Sequence, residues 1–323
     1  MQAFEYASPT TLPDALGLLG SSWGDAGVLA GGTDLLSLMK EYVEEPKRVV
    51  NVKGIKALGG IEKTASGLRI GATATITDLL AGEAVRSEYP SLVEAARGIS
   101  SMQIRNMGTV GGDLCQRPRC WYFRNGFGLL ATKDGKSLVP GGDNRYHAIF
   151  PEAPAYFVSA SSFGPALMAL GASVKVVSSS GEREIKMADF FVAPRDAATR
   201  EVDLKPNEIL TEIVIPSAAG VKNATYEVRQ KEALDWPLAA AAVALKMNGD
   251  KVASAQIVMG HVGPTPVAAP KAARSLAGKR ITEAVAEKVG AQAVKGARPL
   301  SGNGYKVQLA KVAVKRALLK AVS

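Results

Sequence analysis

Two glycine pairs constrain this chain more than any other feature. Gly31-Gly32 follows the apolar run Val28-Leu29-Ala30 and precedes a helical pattern from Leu35 to Tyr42. Gly111-Gly112 lies in Met107-Gly-Thr-Val-Gly-Gly-Asp113, a second glycine-rich turn. Glycine lets backbone N–H groups turn inward and approach a ligand closely, which suits a phosphate. A helix starting just after the first pair adds about 0.3–1 kcal/mol for an anion. Neither pair fits the dinucleotide Gly-x-Gly-x-x-Gly fingerprint or the P-loop, so the common nucleotide folds are disfavoured. Taken singly, each is more often an ordinary tight turn.

The rest of the sequence narrows the chemistry. Its 323 residues suggest about two domains, and 47% hydrophobic content is enough to build cores. No apolar run reaches the roughly 20 residues of a membrane-spanning helix. The start, Met1-Gln-Ala-Phe-Glu-Tyr6, lacks a basic-then-apolar leader, so no signal peptide is expected. A net charge of +9 permits an anionic ligand or partner without naming one. Two cysteines and two histidines leave no material for a disulfide scaffold, a zinc cluster or a multi-histidine site. The reactive groups are therefore expected to come from outside the chain, and no catalytic side chain or metal ligand is assigned.

Residues 1–53 read as a small βαβ unit, with a capping-box helix from Thr11-Leu-Pro-Asp14 to Leu19 and a strand at Arg48–Val52. Residues 68–76 are β-rich, and a second capping box is expected at Ser91 with Glu94. A long irregular insertion follows, containing Gln116-Arg-Pro-Arg-Cys-Trp-Tyr-Phe-Arg124. An apolar helix to Leu170, strands near 172–178 and 182–187, and a strand Leu210–Ile215 closed by Pro216 come next. Residues 217–223 are the candidate linker to an α+β domain, with strands at 239–247 and 252–262. In its last helix Lys306, Lys311, Lys315, Arg316 and Lys320 read as a solvated face. Cys115 and Cys120 read as inert thiols, and His147 and His261 as hydrogen-bonded structural residues. Arg117, Arg119 and Arg124 beside Trp121, Tyr122 and Phe123 fit single-stranded nucleic acid or, preferably, a docked protein partner.

Taken in order, the motifs are specific. Ala30-Gly-Gly-Thr-Asp34-Leu, Gly71-Ala-Thr-Ala-Thr and Ile104-Arg-Asn-Met-Gly-Thr-Val-Gly-Gly112 strongly resemble the FAD-binding (medium) subunit of molybdenum hydroxylases, the xanthine dehydrogenase family. Pro206-Asn-Glu-Ile-Leu210, Asp235-Trp-Pro-Leu-Ala239 and Gly260-His-Val-Gly-Pro-Thr-Pro-Val267 extend the resemblance over essentially the whole chain. The Gln116–Arg124 stretch and Asn144-Arg-Tyr-His-Ala-Ile149 resemble the branch serving periplasmic aldehyde oxidoreductases.

The resemblance implies an α+β chain. A two-subdomain FAD-binding fold of the vanillyl-alcohol-oxidase type (about 1–55 and 56–217, with an inserted loop at about 114–148) would precede a C-terminal α+β domain at 222–323. It implies that Leu29, Ala30, Gly31, Gly32, Thr33, Asp34, Leu35 and Leu36 form the pyrophosphate loop. Thr109, Gly111, Gly112 and Asp113 would hold the flavin's other side. Leu210 corresponds to a position near the isoalloxazine ring, and Ile99 to another ring contact. Asp113 stands where the family has Asn, and Ala160-Ser161-Ser162 replaces Pro-Ser-Asp, leaving Ser162 a hydroxyl. A lysine common near the flavin aligns with Glu227, with Lys231 the nearest substitute.

The implied function is electron transfer. A large molybdopterin subunit would oxidise an aldehyde or aromatic heterocycle, and a small [2Fe–2S] subunit would pass electrons to FAD here. Nucleic acid is not an expected partner, nor is the membrane. The alternatives are a self-sufficient flavin oxidase of similar fold and a nucleic-acid-binding protein. The compartment is expected to be cytoplasmic, or periplasmic if a partner with a twin-arginine signal carries the chain. The aldehyde-oxidoreductase branch often holds a [4Fe–4S] cluster on four cysteines of the inserted loop, of which Cys120 alone matches here. Four-thiolate ligation needs more sulfur than two cysteines supply. Iron and acid-labile sulfide assays on the purified chain should therefore find no stoichiometric cluster.

Overall fold

The computed structural model describes residues 1–99, 101–231 and 235–323. Strands β1 (Glu5–Ala7), β2 (Ala26–Leu29) and β3 (Arg48–Asn51) form a parallel sheet in the order β1-β3-β2. Parallel strands need crossovers, and the helices Leu12–Gly17 and Leu35–Lys40 supply them. Thr11 caps the first helix by accepting from Asp14 N, while its own hydroxyl donates to the Asp14 carboxylate at 2.6 Å. That helix ends at Gly17 rather than Leu19. Ala15, Val50 and Val52 bury this layer against Ile209 of the following subdomain.

The β-rich stretch at 68–76 divides in two. After β4 (Ile61–Thr64), β5 (Gly67–Gly71) stops at a glycine whose added Cβ would strike the Leu58 and Gly59 carbonyls. A complete capping box at Thr75 and Asp78 then starts the helix Ile76–Ala81. The inserted segment carries a two-residue hairpin, β6 (Thr132–Lys133) and β7 (Lys136–Ser137). Beyond it lie β8 (Ser173–Ser178), β9 (Gly181–Lys186) and β10 (Ile209–Pro216). They complete an antiparallel sheet ordered β4-β5-β10-β8-β9. Its core packs Ile70, Val174, Ile213 and Ile215 against Leu79, Leu92 and Phe163 from the helices. A β-bulge between Leu210 and Glu212 breaks the alternation of the central strand at one point.

The last sheet runs β11 (Val221–Val228), β12 (Ala239–Asn248), β13 (Lys251–Gly260) and β14 (Val267–Ala268), antiparallel in that order. The helices Glu283–Ala293 and Tyr305–Val322 cover it, and small Ala241, Ala310, Ala313 and Ala317 let the layers approach. Since β11 already begins at Val221 and Asn223 is buried, the connector shrinks from the expected 217–223 to 217–220. No helix among the described residues is long and apolar enough to cross a membrane.

Two sequence expectations fail at the seam between these layers. Ser91 is not an N-cap, because the helix begins at Pro90 and the Ser91 N–H donates to Asn223 Oδ1 at 3.0 Å. Glu94 instead accepts from Thr225 N at 2.7 Å and pairs with Lys320 at 2.7 Å. Lys306 is not on a solvated face either. It is 1% exposed, and its ammonium donates to the carbonyls of Tyr146, His147 and His261 at 3.1, 3.1 and 2.8 Å. Burial pulls this ammonium down to about 7. Three carbonyl acceptors, one more than a neutral amine has N–H groups to meet, favour the charged form. Lys306→Met keeps the volume but strands the three carbonyls, so it should cost on the order of 3 kcal/mol in chemical denaturation.

Candidate functional site

A cavity of about 400 Å³ opens between the parallel sheet, the antiparallel sheet and the inserted segment. Ala30, Gly31, Gly32, Thr33, Asp34 and Leu35 form one wall. Ile99, Thr109, Gly111, Gly112 and Asp113 form the facing wall, and Ser162 and Leu210 close it. Three expected residues lie off the cavity lining. The Leu29 carbonyl is tied into the sheet by Val52 N, Leu36 is 40% exposed, and Lys231 is exposed at the surface.

The two glycine pairs differ in role. Gly32 has φ +73°, a left-handed conformation that favours glycine. A Cβ on Gly31 would strike the Met107 carbonyl, so this glycine lets the two loops touch. Among the described residues, the backbone N–H groups of Gly31, Gly32, Thr33 and Asp34 donate to no protein acceptor. The second pair has no such donors to offer. Thr109 caps the helix Val110–Cys115, and the N–H groups of Val110, Gly111, Gly112 and Asp113 go to Ala74 O, Ala72 O, Thr109 Oγ1 and Thr109 O. This glycine-rich "turn" is the first turn of a helix. Its glycines let the helix lie on Ala72, whose Cβ would be 2.8 Å from a Cβ at Gly111.

Asp113 takes no part as a surface charge. It is buried and accepts from the Ser161 hydroxyl, from Phe163 N at 3.1 Å and from Gln116 Nε2 at 2.9 Å. These bonds fold the 160–163 turn, so Ser161 meets Asp113 while Ser162 reaches the cavity. Glu227 is mostly buried and ion-pairs with Arg229, with Gly98 leaving room for both. Burial raises its carboxyl and Arg229 opposes that rise.

The arginines of the basic aromatic stretch turn onto the cavity wall, while Trp121 and Tyr122 remain partly exposed. Arg117 pairs with Glu44 and Glu201. Arg124 reaches Asp34 Oδ1 at 2.8 Å, Arg119 reaches the same oxygen at 3.1 Å, and Arg117 N donates to Oδ2 at 2.8 Å. Arg119 also lies over the Trp236 ring, 4.6 Å from its centroid. At another part of the cavity Arg200 lies 4.2 Å from the Trp23 centroid and pairs with Glu44. Sequence reading missed Trp23, Arg200 and Glu201 altogether, because nothing in their spacing links them to the glycine loop. Trp236 stood in a recognised motif but carried no assigned role.

The thiols and imidazoles are held neutral. Burial pushes the Cys115 thiol up to about 12 and pulls His147 and His261 down to about 4 and 3. Cys120 Sγ and His147 Nε2 are 3.2 Å apart, beside the rings of Trp121, Tyr122 and Tyr146. Among the described residues no three His, Cys, Asp or Glu side chains are grouped to hold a metal ion.

Burial raises the Asp113 carboxyl from 3.8 to about 6. Between those values the folded state holds a proton that the unfolded state lacks, so stability falls as pH rises and then levels above about 6. Asp113→Asn cannot ionise, yet its amide oxygen can still accept from Ser161 and Phe163. Its stability relative to wild type should rise by roughly 3 kcal/mol between pH 3.5 and 7. Urea denaturation at the two pH values measures the difference.

Residues 2–218 match the family described as the FAD binding domain in molybdopterin dehydrogenase, and residues 224–321 match the CO dehydrogenase flavoprotein C-terminal domain. The chain is 30% identical to the carbon monoxide dehydrogenase medium chain of Hydrogenophaga pseudoflava, covering 98% of this chain and 96% of that one. It is 32% identical to the aldehyde oxidoreductase FAD-binding subunit PaoB of Escherichia coli (strain K12), covering 96% of each. A solved carbon monoxide dehydrogenase from Hydrogenophaga pseudoflava superposes with a TM-score of 0.78 at 28% identity, covering 99% of this chain and 98% of that one. The open N–H groups of the Gly31–Asp34 loop, the two-sheet cavity and these matches over nearly the whole length agree: the chain belongs to the FAD-binding medium-subunit family of the molybdenum hydroxylases.

Proposed function

We propose that this chain is the flavin-bearing electron-transfer subunit of a molybdenum-containing oxidoreductase acting on an aldehyde or aromatic heterocycle. The observation that carries this reading is the row of open backbone N–H groups at Gly31–Asp34 on the wall of a cavity that also presents apolar Ile99 and Leu210. The residues fit FAD. The open N–H groups and the Thr33 hydroxyl suit a pyrophosphate, while Leu210, Ile99 and the glycine face of Gly111 and Gly112 offer flat apolar contact to rings. Bound FAD would supply the redox chemistry that the side chains lack. Asp113 holds the turn that brings Ser162 to the cavity, and the buried Glu227–Arg229 pair flanks the helix end at Gly98.

Relatives of similar length are named for carbon monoxide, aldehyde, glyceraldehyde and nicotinate, so substrate choice varies while this fold persists. That pattern supports a substrate pocket on another subunit. The partners we assign are a small [2Fe–2S] subunit and a large molybdopterin subunit, in the aldehyde-oxidoreductase branch. The functional division we assign is an FAD-binding part at 1–217 and a C-terminal domain at 222–323. The compartment is cytoplasmic, or periplasmic by co-export with a partner.

The purified full chain should bind FAD and show a flavin spectrum, fail to oxidise aldehydes alone, and gain turnover when combined with the two partner subunits. Aldehyde oxidation by the chain alone would instead point to a self-sufficient flavoenzyme. Salt-sensitive oligonucleotide binding without flavin would sink the reading altogether.

A further inference from the structure

The Gly31–Asp34 loop contains an electrostatic contradiction. Its N–H groups suit an anion, yet its last residue sets a carboxylate, 14% exposed, on the same cavity wall. A pyrophosphate placed there would meet a like charge unless a cation stands between them. Two guanidinium groups reach Asp34 from the inserted segment, and they are not equivalent. Arg124 is 13% exposed and engaged at all three nitrogens by Asp34, the Pro118 and Arg117 carbonyls and the Ser37 hydroxyl, and it does not line the cavity.

Arg119 does line the cavity and is 30% exposed. It makes one contact to Asp34 Oδ1 at 3.1 Å and donates to Gln116 Oε1 at 3.2 Å. Its Nε–H is buried with no acceptor among the described residues. One face of its guanidinium is held by the Trp236 ring. Asp34, Asp113 and Glu41 surround it with negative charge, and Arg124 opposes them.

We propose that Arg119 is the cation through which the inserted segment binds the cofactor's pyrophosphate, held in place by Trp236 and shared with Asp34. This rests on the FAD reading above and assigns the insertion a part in holding the cofactor. The planar fork can serve a carboxylate and a phosphate at once while stacked on an indole, which an ammonium cannot.

The test compares FAD with riboflavin, which carries the isoalloxazine but no phosphate, by flavin fluorescence titration of the purified apo chain. Arg119→Gln should weaken FAD binding by about tenfold or more and leave riboflavin binding unchanged. The double variant D34N/R119Q should remain weak, because relieving the Asp34 charge does not replace the lost donor. Equal weakening of both ligands, unchanged FAD affinity, or recovery of FAD binding in the double variant would each overturn the proposal. Should R119Q fail to fold, R119K carries the test. A several-fold loss for FAD relative to riboflavin supports the proposal, and an unchanged ratio refutes it. If wild type binds neither ligand, the FAD reading itself has failed, an outcome distinct from all of these.

Discussion

The carboxylate of Asp34 is the interaction on which the site depends. It sits at the end of the parallel-sheet loop whose glycine pair lines the cavity, and it gathers three groups of the inserted segment: Arg119, Arg124 and the N–H of Arg117. Because Arg117 also holds Glu44 and Glu201, the pairing extends around the cavity to Arg200 and Trp23. An ion pair at the surface contributes little to stability, but these side chains are mostly buried, where an unmatched charge is costly. The insertion therefore cannot lift away from the glycine loop without exposing or stranding several charges. A segment that looks like a free basic arm in the sequence is part of the cavity wall.

The C-terminal domain is bound to the same structure by polar contacts in small number and deep burial. Asn223 replaces a helix cap, Glu94 closes an edge of β11, and Lys306 ties the last helix to the insertion through backbone carbonyls. Asn303 adds bonds to the carbonyls of His147 and Ala148 at 3.1 Å each. Segment 144–148 thus rests on residues from the far end of the chain, which gives the insertion a rigid base and its arginines fixed positions. Asn223, Asn303 and Lys306 are buried and hydrogen-bonded, so each loss leaves partners unsatisfied rather than merely removing a contact.

Much of the fold was legible because it follows local rules. Hydrophobic period and proline stops located β3, β10, β12 and β13 to within a residue or two. The errors came where a distant residue replaced a local signal. Ser91 and Glu94 have capping-box spacing, but Asn223 supplies the acceptor and Glu94 turns to Thr225. Gly111-Gly112 has the look of a phosphate turn, but Thr109 and the backbone of 72–74 take up its N–H groups. Lys306 has the spacing of a solvated lysine, and only the insertion packed over it makes it buried.

By itself the sequence determined the alternation of elements, the two-part α+β organisation, the glycine loop at 31–34 and the absence of thiols enough for a cluster. These depend on residue type and short spacing, which covalent geometry and local hydrogen bonding decide. Only the tertiary structure decided which glycine pair keeps its N–H groups open, that the arginines face inward, and that Asp113, Glu227 and Lys306 are buried. Those outcomes depend on residues that meet across tens of positions of chain, up to 160, and pairing at that range is set by packing.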